Sequence, residues 1–179
     1  MKTTRFAQAV LMFLLATGLL WAQTPASSTN IVDVAAADGS FHTMVSLIRA
    51  SGMVPMLRGK GPYTIFAPTD AAFARLPVDT RKELFENRFL LPNFLNRYIV
   101  PDTLTSAGVS RRPKVRTLDG RNLSIERKAG TVLVNHAQLV KPDIVTGNGV
   151  IHGIDRVDMF TLHEFLEEVQ KHKISAAQH

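Results

Sequence analysis

The chain has 179 residues, 45% of them hydrophobic, a formal charge of +6 and no cysteine. That length and apolar content suffice for one compact domain with its own core. The absence of cysteine excludes disulfides, a thiol nucleophile and cysteine-ligated metal, and a mildly basic balance is no nucleic-acid signature by itself.

Residues 1–22 stand apart. Lys2 and Arg5 make a short basic start, Ala7 to Leu20 is almost wholly apolar, and Ala22 offers a small residue for cleavage. This is the layout of a secretory signal peptide, too short and poorly flanked for a membrane span. Cleavage is expected near Ala22, with Ala26 as the alternative, giving a secreted or periplasmic protein without a transmembrane span. Residues 23–29 form a Pro/Ser/Thr/Ala linker, 30–160 the folded domain, and 161–179 a C-terminal helix and tail.

Asn30 caps a first predicted helix, Ile31 to Ala37, which Asp38-Gly39 breaks. Phe41, Met44, Val45 and Ile48 recur at helical spacing up to the stop at Ser51-Gly52. Met53 to Leu57 is a short apolar connector carrying Pro55. Gly61-Pro62 turns the chain into a strand, Tyr63 to Ala67, rich in aromatic and β-branched residues, and Pro68 ends it. Thr69 then caps a short helix. Asp70 lies in its first turn, where its charge suits the dipole, and Phe73 and Leu76 share its buried face. After Pro77 a second helical tract is capped by Asp79 or Thr80 and buries Leu84 and Phe85. Pro92 opens a further helix with Leu91, Phe94, Leu95 and Tyr98 on its apolar face.

From Thr103 the texture changes to short strands and turns. Val115 to Leu118 and Asn122 to Arg127 flank the tight turn Asp119-Gly120. Ala129-Gly130, Asn135-His136 and Asn148-Gly149 mark three more turns. Between them lie strands at Val132–Val134, at Val140–Val145 interrupted by Pro142, and at Val150–Ile154. Thr161-Leu162-His163-Glu164 fits a capping box opening an amphipathic helix with Leu162, Phe165, Leu166 and Val169 on one face.

His163 to Glu167 reads H-E-x-x-E and lacks the second histidine of a zinc helix, so no metal site and no cofactor are expected. No serine stands in G-x-S-x-G. His152, in an apolar strand beside Gly153, reads as a core histidine whose ring nitrogens need partners, and the chain is not expected to be an enzyme. The clearest surface feature is basic. Arg112, Lys114 and Arg116 alternate and so share one face of a strand, with Arg121 and Arg127 extending it. This run suits an anionic glycan, a lipid headgroup or an acidic protein; equally, it suits a charged sheet edge that discourages aggregation. No aromatic residues interleave with the charges, so no nucleic-acid platform is expected.

Three segments together resemble the fasciclin (FAS1) domain family: Asn30-Ile-Val-Asp33 with Asp38-Gly-Ser-Phe41, the block Gly61-Pro-Tyr-Thr-Ile-Phe-Ala-Pro-Thr-Asp-Ala-Ala-Phe73, and Asn148-Gly-Val-Ile-His-Gly-Ile-Asp155. Thr69, Asp70, Phe73, Asn148, Gly149 and His152 are thereby structural motif positions. The resemblance implies an α+β fold, a wedge-shaped β-sandwich of short strands with several helices packed along one side. It also implies a binding module for cell-surface or matrix adhesion; the alternative is a carrier holding a small apolar ligand, such as a lipid, between helices and sheets. Tyr98 occupies the histidine position of the family's Tyr-His pair, in a region linked to integrin adhesion in animal relatives. Lys141-Pro142-Asp143-Ile144 is similar to a Pro-Asp-Ile adhesion motif described for animal members. Adhesion contacts are therefore expected from Arg112, Lys114 and Arg116 and from Lys141, Pro142, Asp143 and Ile144.

Overall fold

The computed structural model describes residues 30–177; the expected signal peptide and linker lie outside them. The fold is α+β. In chain order it runs α1 (Ile31–Asp38), α2 (His42–Ala50), α3 (Val54–Leu57), β1 (Tyr63–Pro68), α4 (Asp70–Ala74), α5 (Val78–Glu86), α6 (Leu91–Asn96), β2 (Ile99–Val100), α7 (Ser106–Ser110), β3 (Lys114–Arg116), β4 (Asn122–Lys128), β5 (Thr131–Val134), β6 (Ala137–Thr146), β7 (Gly149–Ile154) and α8 (Met159–Ala177).

The strands form one sheet in the order β2-β1-β7-β6-β5-β4-β3. All neighbours are antiparallel except β1 and β7, which run parallel with Ile65 opposite Ile151 and Phe66 opposite His152. Both strands are buried almost throughout, as expected where both faces of a parallel pair are covered. The sheet curls until its ends approach: the Leu118 amide, just beyond β3, donates to the Ile99 carbonyl of β2 at 2.8 Å. Helices α1, α4 and α6 pack against the β1, β2 and β7 end of the sheet, and α7 sits on β4. A single cluster of buried side chains runs from Ile31 through Phe41, Phe66, Phe94 and Ile151 to Val169.

Local chemistry explains most boundaries. The Asn30 side chain accepts from the Asp33 amide, and Gly39, at φ 78°, closes α1 in the left-handed region. Thr69 accepts from the Ala72 amide and starts α4. Asn135 and His136 both turn with positive φ, at 45° and 66°, a conformation that glycine adopts more easily.

Several expectations are corrected. The connector carrying Pro55 is the helical turn α3, with proline in its first turn. Helix α5 begins at Val78 with Pro77 before it and no side-chain cap, rather than being capped by Asp79 or Thr80. Phe85 is 40% exposed; Leu84 alone supplies the fully buried face of α5. A further short helix, α7, follows Thr103, capped by Thr105 on the Gly108 amide. The last hairpin turns at Gly147-Asn148, with Gly149 already in β7. Helix α8 starts at Met159, so Thr161 lies inside its first turn and its hydroxyl donates to Asp158 at 2.7 Å. Leu162, Phe165 and Val169 of this helix belong to the common core.

Candidate binding surface

The junction between the two motif blocks is set by Asn148. Its side-chain oxygen accepts from the Ile31 amide at 2.8 Å, and its amide nitrogen donates to the carbonyls of Leu57 and Gly59 at 2.8 and 2.7 Å. One side chain thus joins the start of α1, the end of α3 and the last hairpin. The backbone beside it is equally tight. A Cβ on Gly149 would collide with the Tyr63 carbonyl, and one on Gly61 with the Asn148 carbonyl. These glycines let β1 and β7 approach closely enough to pair.

Asp70 does more than charge its own helix. Its carboxylate accepts from the amides of His42 and Thr43, at 3.1 and 2.7 Å, and so caps α2 from another element. Burial alone would raise its pKa, but the bonds from Thr43 and His42 hold it below the ordinary aspartate value. Phe73 is buried in the core beneath it.

His152 is wholly buried and stacks on Phe66. Nε2 donates to the Leu104 carbonyl at 2.8 Å and Nδ1 accepts from the Asp143 amide at 3.1 Å. Both nitrogens are therefore occupied and the ring is the neutral Nε2–H tautomer. Burial drives its pKa below the usual value against the opposing pull of the Leu104 bond and Asp143. Ser106 and Asp143 lie nearby, but the Ser106 hydroxyl donates to the Asp143 carboxylate and not to the imidazole. The Ser106 amide also donates to Asp143, at 2.7 Å. These bonds outweigh the effect of burial and keep the Asp143 carboxyl below its ordinary pKa. The trio ties α7 to β6 and β7, and the imidazole lies fully buried among them.

Lys141 to Ile144 form a bulge in β6. Lys141 pairs with Gly153 and Ile144 with Ile151, leaving Pro142 and Asp143 outside the ladder, and Asp143 sits at φ 59°. Pro142 does not protect an edge strand, because β6 lies between β7 and β5; it occupies the bulge, where its missing N–H costs no ladder bond. The Lys141 ammonium donates to Asp38 at 2.6 Å and Ser40 at 2.9 Å and lies over the Phe41 ring. Asp143 is engaged as described, and Ile144 packs against the core. Of the four side chains, Pro142 is the one turned outward without a polar partner to release.

The basic run surrounds β3. Lys114 and Arg116 are exposed on either side of buried Val115, opposite Ser124 and Asn122 of β4. Neither has an ion-pair partner among the described residues. Arg112 pairs with Asp102 at 3.3 Å across two half-exposed side chains. Arg127 donates to the Ser110 hydroxyl at 2.8 Å, which brings it to the Arg111–Arg112 corner. Arg121 turns away: it grips Glu164 with both carboxylate oxygens, at 2.6 and 2.7 Å. Glu164 also pairs with Arg97, which contacts Asp119 at 3.2 Å. That network fixes α8 to the β3–β4 turn, and no local pattern in the sequence announces it. Tyr98, at the position linked to adhesion, is buried, and its hydroxyl accepts from the Asp158 amide at 3.1 Å.

A fasciclin domain model matches residues 39–159, well over half the chain. The chain belongs to the fasciclin domain family. Among its relatives, protein sll1483 of Synechocystis is 41% identical over 133 residues, covering 73% of each chain. The pig transforming growth factor-beta-induced protein ig-h3 is 34% identical over 134 residues, covering 75% of this chain and 20% of that larger protein. A FAS1 domain pair from the insect cell adhesion molecule fasciclin I has the same fold, with a TM-score of 0.65, at 19% identity over 72% of this chain and 50% of that one. The α+β wedge implied by the sequence motifs is thus the fold of this family. No helix among the described residues is long and apolar enough to cross a membrane.

Proposed function

We propose that this fasciclin domain is a non-enzymatic binding module, exported by its N-terminal segment to the periplasm or the cell exterior, that attaches to a surface or matrix. The observation that carries this reading is the exposed pair Lys114 and Arg116 on β3, without an ion-pair partner among the described residues, with Arg111 and the Asp102-paired Arg112 just before it in the chain. Alternate strand residues stand about 7 Å apart, a ladder of cations suited to a repeating anionic chain. The partner is accordingly an anionic glycan, a lipid headgroup or an acidic surface protein, with exposed Pro142 of the Lys141–Ile144 bulge as an apolar contact. That the insect protein of the same fold is a cell adhesion molecule supports the class of role. The engagement of both His152 nitrogens supports a role without catalysis.

Binding through exposed charges is weak per contact and screened by salt. Replacing Arg112 and Lys114 together by Glu is expected to abolish retention on immobilised sulfated glycan and on anionic vesicles at low salt. Wild-type retention is expected to fall steadily as salt is raised. Retention of the double variant at the wild-type level would defeat the proposal.

A further inference from the structure

The sequence pointed to the space between helices and sheet as the place for an apolar ligand. That space is filled by Phe41, Phe66, Phe94 and their neighbours. A different site opens on the outer side of the helices. There the start of α2, with α4 and α5, borders a groove of about 450 Å³, a volume within the range of small-molecule sites. One wall is apolar: Phe73, Ala74, Val78 and Phe85. Val78 is 70% and Phe85 40% exposed, so apolar surface is left in water around a concavity and not as scattered single residues.

The charges decide what fits. Arg81 lines the groove half-buried, and its guanidinium has no ion-pair or side-chain hydrogen-bond partner among the described residues. Lys82 also lines it and reaches Glu86 only at 3.8 Å. Asp70 also lines the groove, but its carboxylate oxygens are engaged by the amides of His42 and Thr43 and by the His42 ring. Asp79 is exposed on the same helix but does not line the groove. A half-buried guanidinium beside an apolar wall lacks an anion; the wall lacks a hydrocarbon. We infer that this groove binds a free single-chain anionic amphiphile of the fatty-acid kind, its carboxylate on Arg81 and its chain against Ala74, Val78 and Phe85. A groove of about 450 Å³ suits a single chain. The site is built from other elements than the basic strand and does not depend on the adhesion reading.

The test uses residues 23–179, which retain the whole described core, and follows backbone amides by NMR during titration with decanoate, decanol, decyltrimethylammonium and acetate. Decanoate is expected to shift Thr43, Ala74, Arg81 and Phe85 saturably. Decanol should bind at least about tenfold more weakly because the charge-assisted bond to Arg81 is lost, the cation not at all because it is also repelled by that guanidinium, and acetate not at all because it has no chain to lie on the apolar wall. Arg81→Gln should cost decanoate about tenfold in affinity and leave decanol unchanged; Phe85→Ser should weaken both. Equal binding of decanoate and decanol by the wild-type protein, which needs no variant, would overturn the assignment. So would undiminished decanoate affinity in Arg81→Gln, shifts confined to another region, or binding only to anionic vesicles.

Discussion

Asn148 concentrates more structure than its size suggests. Three of its hydrogen bonds reach residues distant in sequence, and each intramolecular bond is worth about 1 kcal/mol net. Asn148→Ala is expected to lower unfolding free energy by about 2–3 kcal/mol in urea titration. His152 sets a pH response. Its folded pKa lies below the unfolded value of about 6.5, so the unfolded chain takes up the proton first and stability declines as pH falls through that range. Urea midpoints should drop between pH 7.5 and pH 5. His152→Phe, which keeps a ring beside Phe66 but cannot titrate, should flatten this part of the profile. The carboxyls held low, among them Asp38 paired with Lys141, contribute a separate loss at pH values below about 4. The capping roles of Asn30 and Thr69 were legible because a cap bonds amides two or three residues away. The reach of Asn148 and Asp70 was not, because their partners are brought near only by the fold.

At the scale of elements, two helices depend on groups outside themselves. Helix α2 has no side-chain cap of its own and takes one from Asp70, so Asp70→Ala should cost about 1 kcal/mol and increase amide exchange in the first turn of α2. Helix α8 is held by Phe165 against Phe94, with ring centroids 5.6 Å apart, and by Glu164 between Arg97 and Arg121. Arg97 is only 12% exposed and shares its charge between Glu164 and Asp119, so removing one of the two carboxylates leaves a poorly solvated charge with less compensation. Glu164→Gln is expected to lower stability by about 2 kcal/mol, and thermal melting with high and low salt checks it: the loss should shrink at high salt. The strands of the two motif blocks were readable from β-branched and aromatic runs between Gly and Pro. The exposure of Phe85 was not, because helical spacing says which residues share a face and not whether another element covers it. The shift of the α8 start to Met159 has the same origin: Thr161 has a capping side chain, but its hydroxyl is used on Asp158 inside the first turn.

For the whole molecule, the surface divides into pinned and free charge. Sequence alone groups Lys141 and Asp143 with Arg112, Lys114 and Arg116, yet the first two are spent on internal partners and Arg112, outside β3, pairs with Asp102, whereas Lys114 and Arg116 have no ion-pair partner among the described residues. Sequence names the charged residues; only the packed structure shows which are already neutralised. Lys141→Ala should therefore act through stability, loosening the β6 bulge from Asp38 and Ser40, and leave the salt dependence of glycan retention unchanged, whereas Lys114→Ala should reduce that dependence without moving the melting temperature.

The parallel pairing of β1 with β7 joins strands nearly half the chain apart. Neither strand finds its full set of backbone partners until the other has been made, and loop-closure entropy must be overcome before that contact gives any return. During synthesis β1 is therefore expected to complete its pairing only once β7 has emerged. For the export proposed above, a polypeptide that completes its parallel pair only once residues 149–154 have emerged is expected to be threaded while still loose and to lock on the far side.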